Sequence, residues 1–431
     1  MTGHALVLRS DARSLPLPDA SVDLIVTSPP YFALRSYTDG GEHYAGQIGS
    51  EATPAEWLDA LWACTREWVR VLKPTGSIFV NLGDKYSDRA GPEWAGSSDR
   101  LTGRPPKPRR SSGTSMAPRK SLLGLPWRYA LGCIDDLDLI LRAEVIWSKP
   151  NGLPESITDR VRRSHETWFH FVKHPRYYAA VDEIREPHAR AWSGKNGGRD
   201  GWDRGDHLNV GLAASAPHPL GALPGSVWSI PSEPLTVPDE LGVDHFAAFP
   251  TEWPRRLILG WSPPGICTEC GEGRWPVTVA AYEHVSATTN AKSRAGEMLH
   301  AAHRTQRASV VARKSVTVTG YACACTPYTD QPGTAPTWKP WREYHLAGWT
   351  PPPTRPAVIL DPFGGSGTTA LVASTLSRIG VSADLSYDYS RLAQWRTADP
   401  GERAKALRVA KPPAQASGQE PLDLFGEEAT A

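Results

Sequence analysis

The chain has 431 residues and carries 47 Lys and Arg against 46 Asp and Glu, so its net charge is +1. This balance gives no global field that would attract a polyanion, and a nucleic-acid surface would have to come from local clustering. The 38 Gly and 40 Pro exclude a coiled coil or a helical repeat protein. The sequence shows no apolar run of about 18 residues and no signal peptide. We therefore expect a soluble, cytoplasmic protein with no membrane partner.

Short apolar segments alternate along the chain with segments of helical pattern. The predicted strands, read as buried and parallel, are residues 4–8, 22–27, 77–81, 142–147, 166–172, 357–360 and 380–383. The predicted helices are residues 54–72, 126–136, 252–260 and 366–376. This alternation predicts an α/β, doubly wound sheet. Three long stretches interrupt it, at about 86–120, 187–241 and 267–353, and the polar chain from 398 onward is interpreted as a disordered tail.

The strongest local pattern is Asp361-Pro-Phe-Gly-Gly-Ser-Gly-Thr-Thr369, which follows an apolar strand and opens a predicted helix. Its glycines allow a tight turn and let a ligand approach the backbone N–H groups. A phosphate-binding P-loop is excluded because the turn lacks the required Lys. Asp384 ends the next predicted strand, where nucleotide-binding α/β folds place the acceptor for a ribose hydroxyl. The pattern predicts a binding site for a nucleoside but not for a pyrophosphate group.

A second pattern, Thr27-Ser-Pro-Pro-Tyr31, comes directly after the predicted strand 22–27. Two consecutive prolines fix an extended backbone without N–H groups, so its carbonyl oxygens can accept from a ligand's amino group. The hydroxyl of Ser28 adds another acceptor, and the ring of Tyr31 adds a stacking surface. Phe32 is a second candidate for that surface or a core residue. Ordinary turns also contain Pro-Pro-Tyr, so this pattern alone is not specific. It indicates a binding site because the Gly-rich pattern occurs in the same chain.

In this order, the two patterns resemble the S-adenosylmethionine-dependent DNA amino-methyltransferases that act on N4 of cytosine or N6 of adenine. The Ser-Pro-Pro-Tyr motif precedes the Gly-rich motif, which resembles the permuted beta class of that family. Further matches to the family's core motifs are residues 76–84, 125–128, 145–151, 163–166 and 245–250. The resemblance covers about residues 4–260 and 355–396. It implies a Rossmann-like, seven-stranded methyltransferase sheet, permuted, with an inserted recognition lobe. The inserted zinc lobe that we add to this architecture is predicted from the clustered cysteines described below, at a place where the family commonly has only a short connection.

The resemblance also implies roles for individual residues. The implied cofactor-binding residues are Asp11, Phe249, Pro250, Asp361, Phe363, Gly365, Ser366, Gly367, Thr368, Thr369 and Asp384. The implied catalytic residues, in contact with the target base, are Ser28, Pro29, Pro30 and Tyr31. Asp361 and Phe363 would lie against the methionine part of S-adenosyl-L-methionine, and Asp384 would bind its ribose. Asp11 either lies near the adenine amino group or caps a short loop.

The residue types agree with direct methyl transfer to an exocyclic amine. Acceptors at Ser28 and the Pro29 carbonyl would favour a pyramidal nitrogen, and Tyr31 would replace the stacking that a base loses when it is flipped out of double-stranded DNA. Carbon-5 methylation is not expected, because no Cys follows a Pro. Ser rather than Asp before Pro-Pro-Tyr favours N4 of cytosine over N6 of adenine. The alternatives are a catalytically idle DNA-binding subunit and an enzyme that methylates RNA or a protein amide.

Four of the six cysteines, Cys267, Cys270, Cys323 and Cys325, are clustered in the sequence. Four thiolates suit tetrahedral zinc, and the predicted site is structural, because amine methylation needs no metal. His284, His300 or His303 are alternative ligands, and free reduced thiols are the alternative to a metal site. The zinc lobe is predicted to help grip DNA or to be a stabilising insert.

The resemblance, the cysteine cluster and the composition together divide the chain into segments. These are a catalytic core (1–186) with a basic insert (about 86–120), a target-recognition insert (187–241), a core segment before the cofactor strand (242–266), a zinc-binding insert (267–353), the cofactor-binding part (354–397) and a disordered tail (398–431). Basic clusters at 100–120 and 292–314 are predicted either to contact phosphates or to be solvated loops. The tail sequence Gln419-Glu-Pro-Leu-Asp-Leu-Phe425 resembles peptides that bind a bacterial sliding clamp. A cognate restriction enzyme is a further possible partner.

Overall fold

The computed structural model describes residues 3–33, 38–39, 42–43, 46–87, 116–118, 120–152, 154–187, 220–243, 249–285, 311–331 and 341–410. Its strands are β1 (His4–Arg9), β2 (Val22–Thr27), β3 (Thr38–Asp39), β4 (Glu42–His43), β5 (Leu72–Leu82), β6 (Ile140–Ser148), β7 (His165–Val172), β8 (Val227–Ser229), β9 (Ile266–Cys267), β10 (Trp275–Val285), β11 (Val311–Ala322), β12 (Tyr328–Gln331), β13 (Trp341–Tyr344), β14 (Thr354–Arg355), β15 (Val358–Asp361) and β16 (Ile379–Asp384). Its α-helices are α1 (Pro54–Val71), α2 (Leu125–Asp135), α3 (Glu252–Trp261), α4 (Thr368–Thr375), α5 (Tyr387–Ala398) and α6 (Pro400–Leu407). Short 3-10 helices cover Val181–Ile184 and Asp239–Leu241.

Within the described ranges, the central sheet has eight strands in the order β1-β16-β15-β2-β5-β7-β6-β8. The two ends of the chain are interleaved in it, because β1 pairs with β16 and β2 pairs with β15, in both cases in parallel. This confirms the predicted permuted α/β sheet. The described part of the sheet contains one strand more than the seven predicted, since β8 lies within the stretch 187–241, which the sequence predicts to be an insert.

The prediction that all these strands are parallel is wrong for β7. It runs antiparallel to both of its neighbours, β5 and β6. An apolar run shows that a strand is buried but carries no information on its direction, so the sequence could not reveal the reversal. The reversal has a consequence for the site. The first residues of β7 lie at the same edge of the sheet as the last residues of β2 and β5.

Helices cover both faces of the sheet. In β5, Ile78 and Val80 belong to the core against α1 and α2, whereas Phe79 belongs to the core against α3 and α4. This alternation follows from the period of two along a strand. Helix α1 begins with a capping box between Thr53 and Glu56, which explains its sharp start. No helix among the described residues is both long and apolar enough to cross a membrane.

The disordered tail predicted from residue 398 is wrong for its first part. Helices α5 and α6 follow the last strand, and α6 covers residues 400–407. Asp399 caps α6 by accepting from the N–H of Glu402 at 2.7 Å, and Pro400 occupies the first turn. These start signals lie in a polar segment whose composition on its own predicts disorder. Residues 411–431, with the predicted clamp-binding peptide, lie outside the described residues.

The stretch 267–353 leaves the core and returns to it at adjacent positions. Strands β9 and β14 pair antiparallel, with Cys267 opposite Thr354. Between them β10 and β11 form a long antiparallel hairpin, and β12 pairs with β13. The described parts of this stretch therefore form a β-rich insert whose two ends pair with each other at its base.

Candidate active site

A cleft of about 820 Å³ lies where β2, β5, β15 and β16 end and β7 begins. The predicted site residues in its lining are Asp11, Ser28, Pro29, Pro30, Tyr31, Phe249, Phe363, Gly365, Ser366, Thr368 and Asp384. The remaining predicted residues, Pro250, Asp361, Gly367 and Thr369, lie outside this lining. The two sequence patterns, far apart in the chain, therefore meet in one cleft.

The Gly-rich turn between β15 and α4 is shaped by close backbone packing. A Cβ on Gly364 would lie 1.9 Å from Ser382 Oγ, and one on Gly367, which has a φ of +73°, would lie 2.9 Å from Ala393 Cβ. Gly365 differs, since the nearest atom to its Cβ position is Phe363 O at 3.9 Å. Gly365 therefore faces open space, where a ligand can approach the backbone.

Asp361 is buried behind this turn, with 1% of its surface exposed. Its Oδ1 accepts from the N–H of Phe363 at 3.1 Å, and its Oδ2 accepts from Thr369 Oγ1 at 3.0 Å. Burial raises the pKa of the Asp361 carboxyl to about 7, against the opposing effect of these donors. In the structure, the carboxyl holds the turn in place from behind.

Asp384, at the end of β16, lines the cleft beside the turn. Its Oδ2 accepts from the N–H of Gly365 and its Oδ1 from the N–H of Ser386, both at 2.9 Å. Burial raises the pKa of this carboxyl above its ordinary value. Each carboxylate oxygen has a second lone pair, so both remain able to accept from a hydroxyl in the cleft.

Asp11 is held by the guanidinium of Arg13. Arg13 Nη2 donates to Asp11 Oδ2 at 2.6 Å, and the backbone N–H of Arg13 donates to Oδ1 at 2.9 Å. These donors lower the pKa of the Asp11 carboxyl. The carboxyl both caps its loop and lines the cleft, so the two alternatives predicted for Asp11 are compatible.

The hydroxyls of Ser366 and Thr368 are held by an arginine that the sequence analysis missed. Arg396 of α5 donates from Nη1 to Ser366 Oγ at 2.9 Å and to Thr368 Oγ1 at 2.7 Å, and its Nε pairs with Glu402 of α6. Its side chain is 2% exposed. A buried arginine in a polar helix has no local sequence signature, so only the tertiary structure reveals this support.

The Ser-Pro-Pro-Tyr motif is fixed by neighbours on two sides. The Pro30 carbonyl accepts from Trp57 Nε1 at 3.0 Å, whereas among the described residues the Pro29 carbonyl has no partner. The Tyr31 ring packs on Gly83, where a Cβ would lie 2.6 Å from Tyr31 Cε2. Phe32 is buried and belongs to the core, not to the cleft.

A polar network extends from this motif across the sheet edge. The Tyr31 hydroxyl donates to Glu166 Oε2 at 2.9 Å, and Asn81 Nδ2 donates to the same oxygen at 2.9 Å. Glu166 Oε1 pairs with Lys149 Nζ, which lies 4.0 Å from the centre of the Trp147 ring. All these side chains line the cleft. Asn81, Lys149 and Glu166 come from the segments 76–84, 145–151 and 163–166, which the sequence marks only as core motifs. Each of the three residues lies at or next to the end of a strand, and that position is the signal that could have identified them.

One wall of the cleft comes from residues 232–235, which lie in the predicted recognition insert. Asn151 exchanges two hydrogen bonds with the backbone of Ser232, at 2.9 and 3.2 Å. Glu233 accepts from Thr251 at the start of α3 and pairs with Lys405 of α6 at 2.8 Å. This wall is therefore anchored to three separate elements of the core.

The four clustered cysteines come together at the base of the β-rich insert. The Sγ atoms of Cys267, Cys270, Cys323 and Cys325 all lie within 4.8 Å of one another, and none is in a disulfide. Burial opposes ionisation of Cys267, yet nearby backbone N–H groups lower the pKa of its thiol to about 6. The side chains of the alternative ligands His284, His300 and His303 lie outside the described residues.

Most of the two predicted basic clusters, at 100–120 and 292–314, also lies outside the described residues, as does most of the recognition insert before residue 220. Their contacts with DNA stay a prediction. Phe249 is described, and its ring packs edge-on against Trp168 with the centroids 5.6 Å apart.

Comparison with known proteins adds independent findings. Residues 22–267 match the N6/N4 methyltransferase family, described as DNA methylase. The type II methyltransferase M.SmaI of Serratia marcescens is 33% identical over 243 residues, which cover 56% of this chain and 70% of that protein. M.Cfr9I of Citrobacter freundii, also a type II methyltransferase, is 34% identical over 268 residues, which cover 61% of this chain and 74% of that protein. Among solved structures, the cytosine-N4-specific PvuII DNA methyltransferase is 16% identical, covers 95% of this chain and 92% of that chain, and has a TM-score of 0.48.

Proposed function

This chain belongs to the N6/N4 DNA methylase family, and from that premise we propose that it transfers a methyl group from S-adenosyl-L-methionine to an exocyclic amino group of a flipped base in double-stranded DNA. We propose N4 of cytosine as the acceptor. The observation that carries the proposal is one cleft whose lining contains both the Ser-Pro-Pro-Tyr motif and the Gly-rich turn. A methyl donor and an acceptor base bound at these two motifs would meet in the same cleft.

The residues of the cofactor half fit S-adenosyl-L-methionine. Asp384 presents two acceptor oxygens to the cleft beside the open backbone at Gly365, an arrangement suited to ribose hydroxyls. Asp11 lines the same cleft as a second carboxylate, which suits an adenine amino group. When bound there, the cofactor supplies an electrophilic methyl group. The buried partners Asp361 and Arg396 keep the turn in the conformation that receives it.

The residues of the target half fit an exocyclic amine. The Pro29 carbonyl and Ser28 Oγ are acceptors for its two N–H bonds, and they would draw the nitrogen toward the pyramidal geometry in which its lone pair can attack. The amino group of a paired base is inaccessible in a duplex, so the base must be flipped into the cleft. The Tyr31 ring, supported by Gly83, is placed to stack on it.

Cytosine N4 is preferred over adenine N6 because the first residue of the motif is Ser28 and not Asp. Adenine N6 is the alternative, and the same cleft chemistry would serve it. An idle DNA-binding subunit is less favoured, because the acceptors of the target motif and the open turn of the cofactor site are both present in the cleft.

The proposal is tested by transfer of labelled methyl from S-adenosyl-L-methionine to duplex DNA, single-stranded RNA and no nucleic acid. We expect label in DNA alone, lost in Ser28→Ala and retained in Ser14→Ala, a matched change at an exposed serine. Cofactor binding without transfer to DNA, or label in RNA, would contradict the proposal. Absence of cofactor binding would support the idle subunit.

We further propose that the four clustered cysteines hold a structural zinc ion. Thiolates about 2.3 Å from a tetrahedral zinc ion lie about 3.8 Å from one another. The distance between Cys267 Sγ and Cys325 Sγ is 3.9 Å, close to this value and far too long for a disulfide. Elemental analysis should find about one zinc per chain, lost in Cys270→Ser and kept in Cys64→Ser. Metal-free protein with an intact insert would contradict the site.

The proposed partners follow from the family and from the remaining motifs. Double-stranded DNA is the substrate, with residues 187–241 as the recognition segment. The relatives are named type II methyltransferases, which supports a cognate restriction enzyme as a partner. A sliding clamp that binds residues 419–425 and a cytoplasmic location stay predictions.

A further inference from the structure

We propose that Glu166 is the final acceptor of the proton that the target amine loses, and that Tyr31 and Ser28 carry the proton to it. This inference rests on the proposed function and adds a proton path to it. Glu166 lines the cleft at the start of β7 and is 18% exposed. Its assignment follows from the hydrogen bonds that connect the target motif to this carboxylate.

A proton acceptor is needed because of the electron balance of the transfer. The lone pair of the exocyclic nitrogen forms a bond to the methyl carbon, and the carbon–sulfur bond breaks with its electron pair left on sulfur. The nitrogen then carries a positive charge and must release one of its protons. Ser28 is uncharged and a very weak base, so it can pass a proton on but cannot keep it.

The hydrogen bonds of the cleft provide a route for this proton. The nitrogen gives its proton to Ser28 Oγ, Ser28 gives its hydroxyl proton to the Tyr31 oxygen, and Tyr31 gives its phenol proton to Glu166 Oε2. Tyr31 already donates to that oxygen at 2.9 Å, and Ser28 Oγ lies 3.5 Å from the Tyr31 hydroxyl. The second distance is long, but catalytic hydrogen bonds in a free enzyme commonly shorten when substrate binds.

Two further side chains direct Glu166 toward the relay. Lys149 pairs with Oε1, so Oε2 is the oxygen that faces Tyr31. Asn81 Nδ2 lies 2.9 Å from Oε2, 3.0 Å from the Tyr31 hydroxyl and 3.4 Å from Ser28 Oγ, so one amide touches all three members. The three oxygens of the relay therefore lie around one amide nitrogen.

The test measures single-turnover methyl transfer to DNA, because product release can hide the chemical step in the steady state. Glu166→Gln keeps an acceptor oxygen for Tyr31 but cannot take a proton. We expect the single-turnover rate to fall on the order of 100-fold, with cofactor and DNA dissociation constants within about threefold of wild type and an enlarged solvent isotope effect. Glu183→Gln, a matched change at an exposed residue, should leave the rate unchanged.

Chemical rescue separates a proton acceptor from a structural residue. Formate should restore part of the single-turnover rate of Glu166→Gly, and Tyr31→Phe, which keeps the ring, should be slow and insensitive to formate. A wild-type rate in Glu166→Gln, or a folded Glu166→Gly that formate does not accelerate, would overturn the relay. If the wild-type protein itself transfers no methyl group to DNA, the proposed function fails first, so the two failures are distinguishable.

Discussion

Gly83 determines where the Tyr31 ring can lie, and a single methyl group there should disable the target site. In Gly83→Ala the new Cβ would lie 2.6 Å from Tyr31 Cε2, whereas ordinary contacts begin at 3.4 Å. The ring must therefore move by about 0.8 Å, the difference between these distances. The φ of Gly83 is not positive, so alanine adds no backbone strain and the effect comes from the ring alone.

The size of the effect follows from the contact that the ring would lose. A shift of about 0.8 Å away from Glu166 would lengthen the 2.9 Å hydrogen bond of the Tyr31 hydroxyl beyond 3.5 Å. A hydrogen bond to a charged group contributes about 1.5–3 kcal/mol, and a misplacement of about 1 Å can slow a reaction on the order of 100-fold. We expect kcat/KM for DNA to fall by about that factor.

The assay compares methyl transfer to DNA, cofactor affinity and thermal stability in Gly83→Ala and Gly225→Ala. Gly225 is the matched control, because nothing lies within 4 Å of its Cβ position. Cofactor affinity should be unchanged in both variants, and only Gly83→Ala should lose activity. Wild-type kcat/KM in a folded Gly83→Ala protein would refute the argument that Tyr31 must lie on Gly83.

Three other predictions concern the cofactor half. Asp384→Asn should weaken cofactor binding about tenfold in calorimetry, because a charged acceptor is lost; an unchanged Kd would exclude Asp384 from the cofactor site. Arg396→Met should lower the free energy of unfolding by about 3 kcal/mol in urea titrations, because Glu402 loses its buried partner. Arg391→Met, at a more exposed arginine, is the control. An effect of Arg396→Met no larger than that of the control would contradict this prediction. Burial raises the pKa of Asp361 from 3.8 to about 7, so the folded state binds the proton more tightly than the unfolded chain. The stabilisation from this proton is complete below about pH 4 and is lost as the pH rises to about 7. Over that range the free energy of unfolding of wild type should therefore fall by about 4 kcal/mol relative to that of Asp361→Asn. Parallel stability curves of the two proteins would argue against the raised pKa.

The sequence predicted the features that depend on local patterns. The Gly-rich turn was recognisable because close packing at Gly364 and positive φ at Gly367 require glycine. The Ser-Pro-Pro-Tyr motif was recognisable because two prolines restrict the backbone. Both patterns lie at strand ends, and the family resemblance implied that they belong to one site.

The features that the sequence could not reveal depend on tertiary contacts. Glu166 reaches Tyr31 only because β7 is reversed, and nothing in an apolar run of residues encodes that direction. Arg396 supports the Gly-rich turn from a polar helix that follows the last strand. Asp399 and Pro400 mark the start of α6 in the sequence itself, so this helix was predictable from its N-terminal signals.

The central claim, methyl transfer to an exocyclic amine in a cleft shared by both motifs, is tested most directly by nucleoside mass spectrometry. Duplex DNA would be incubated with the protein and S-adenosyl-L-methionine carrying a trideuterated methyl group, then digested to nucleosides. We predict trideuterated 4-methylcytosine, absent with Ser28→Ala. Labelled 6-methyladenine would keep the transfer to an exocyclic amine and correct the base. Label at carbon 5 of cytosine, or no labelled nucleoside despite cofactor binding, would contradict it.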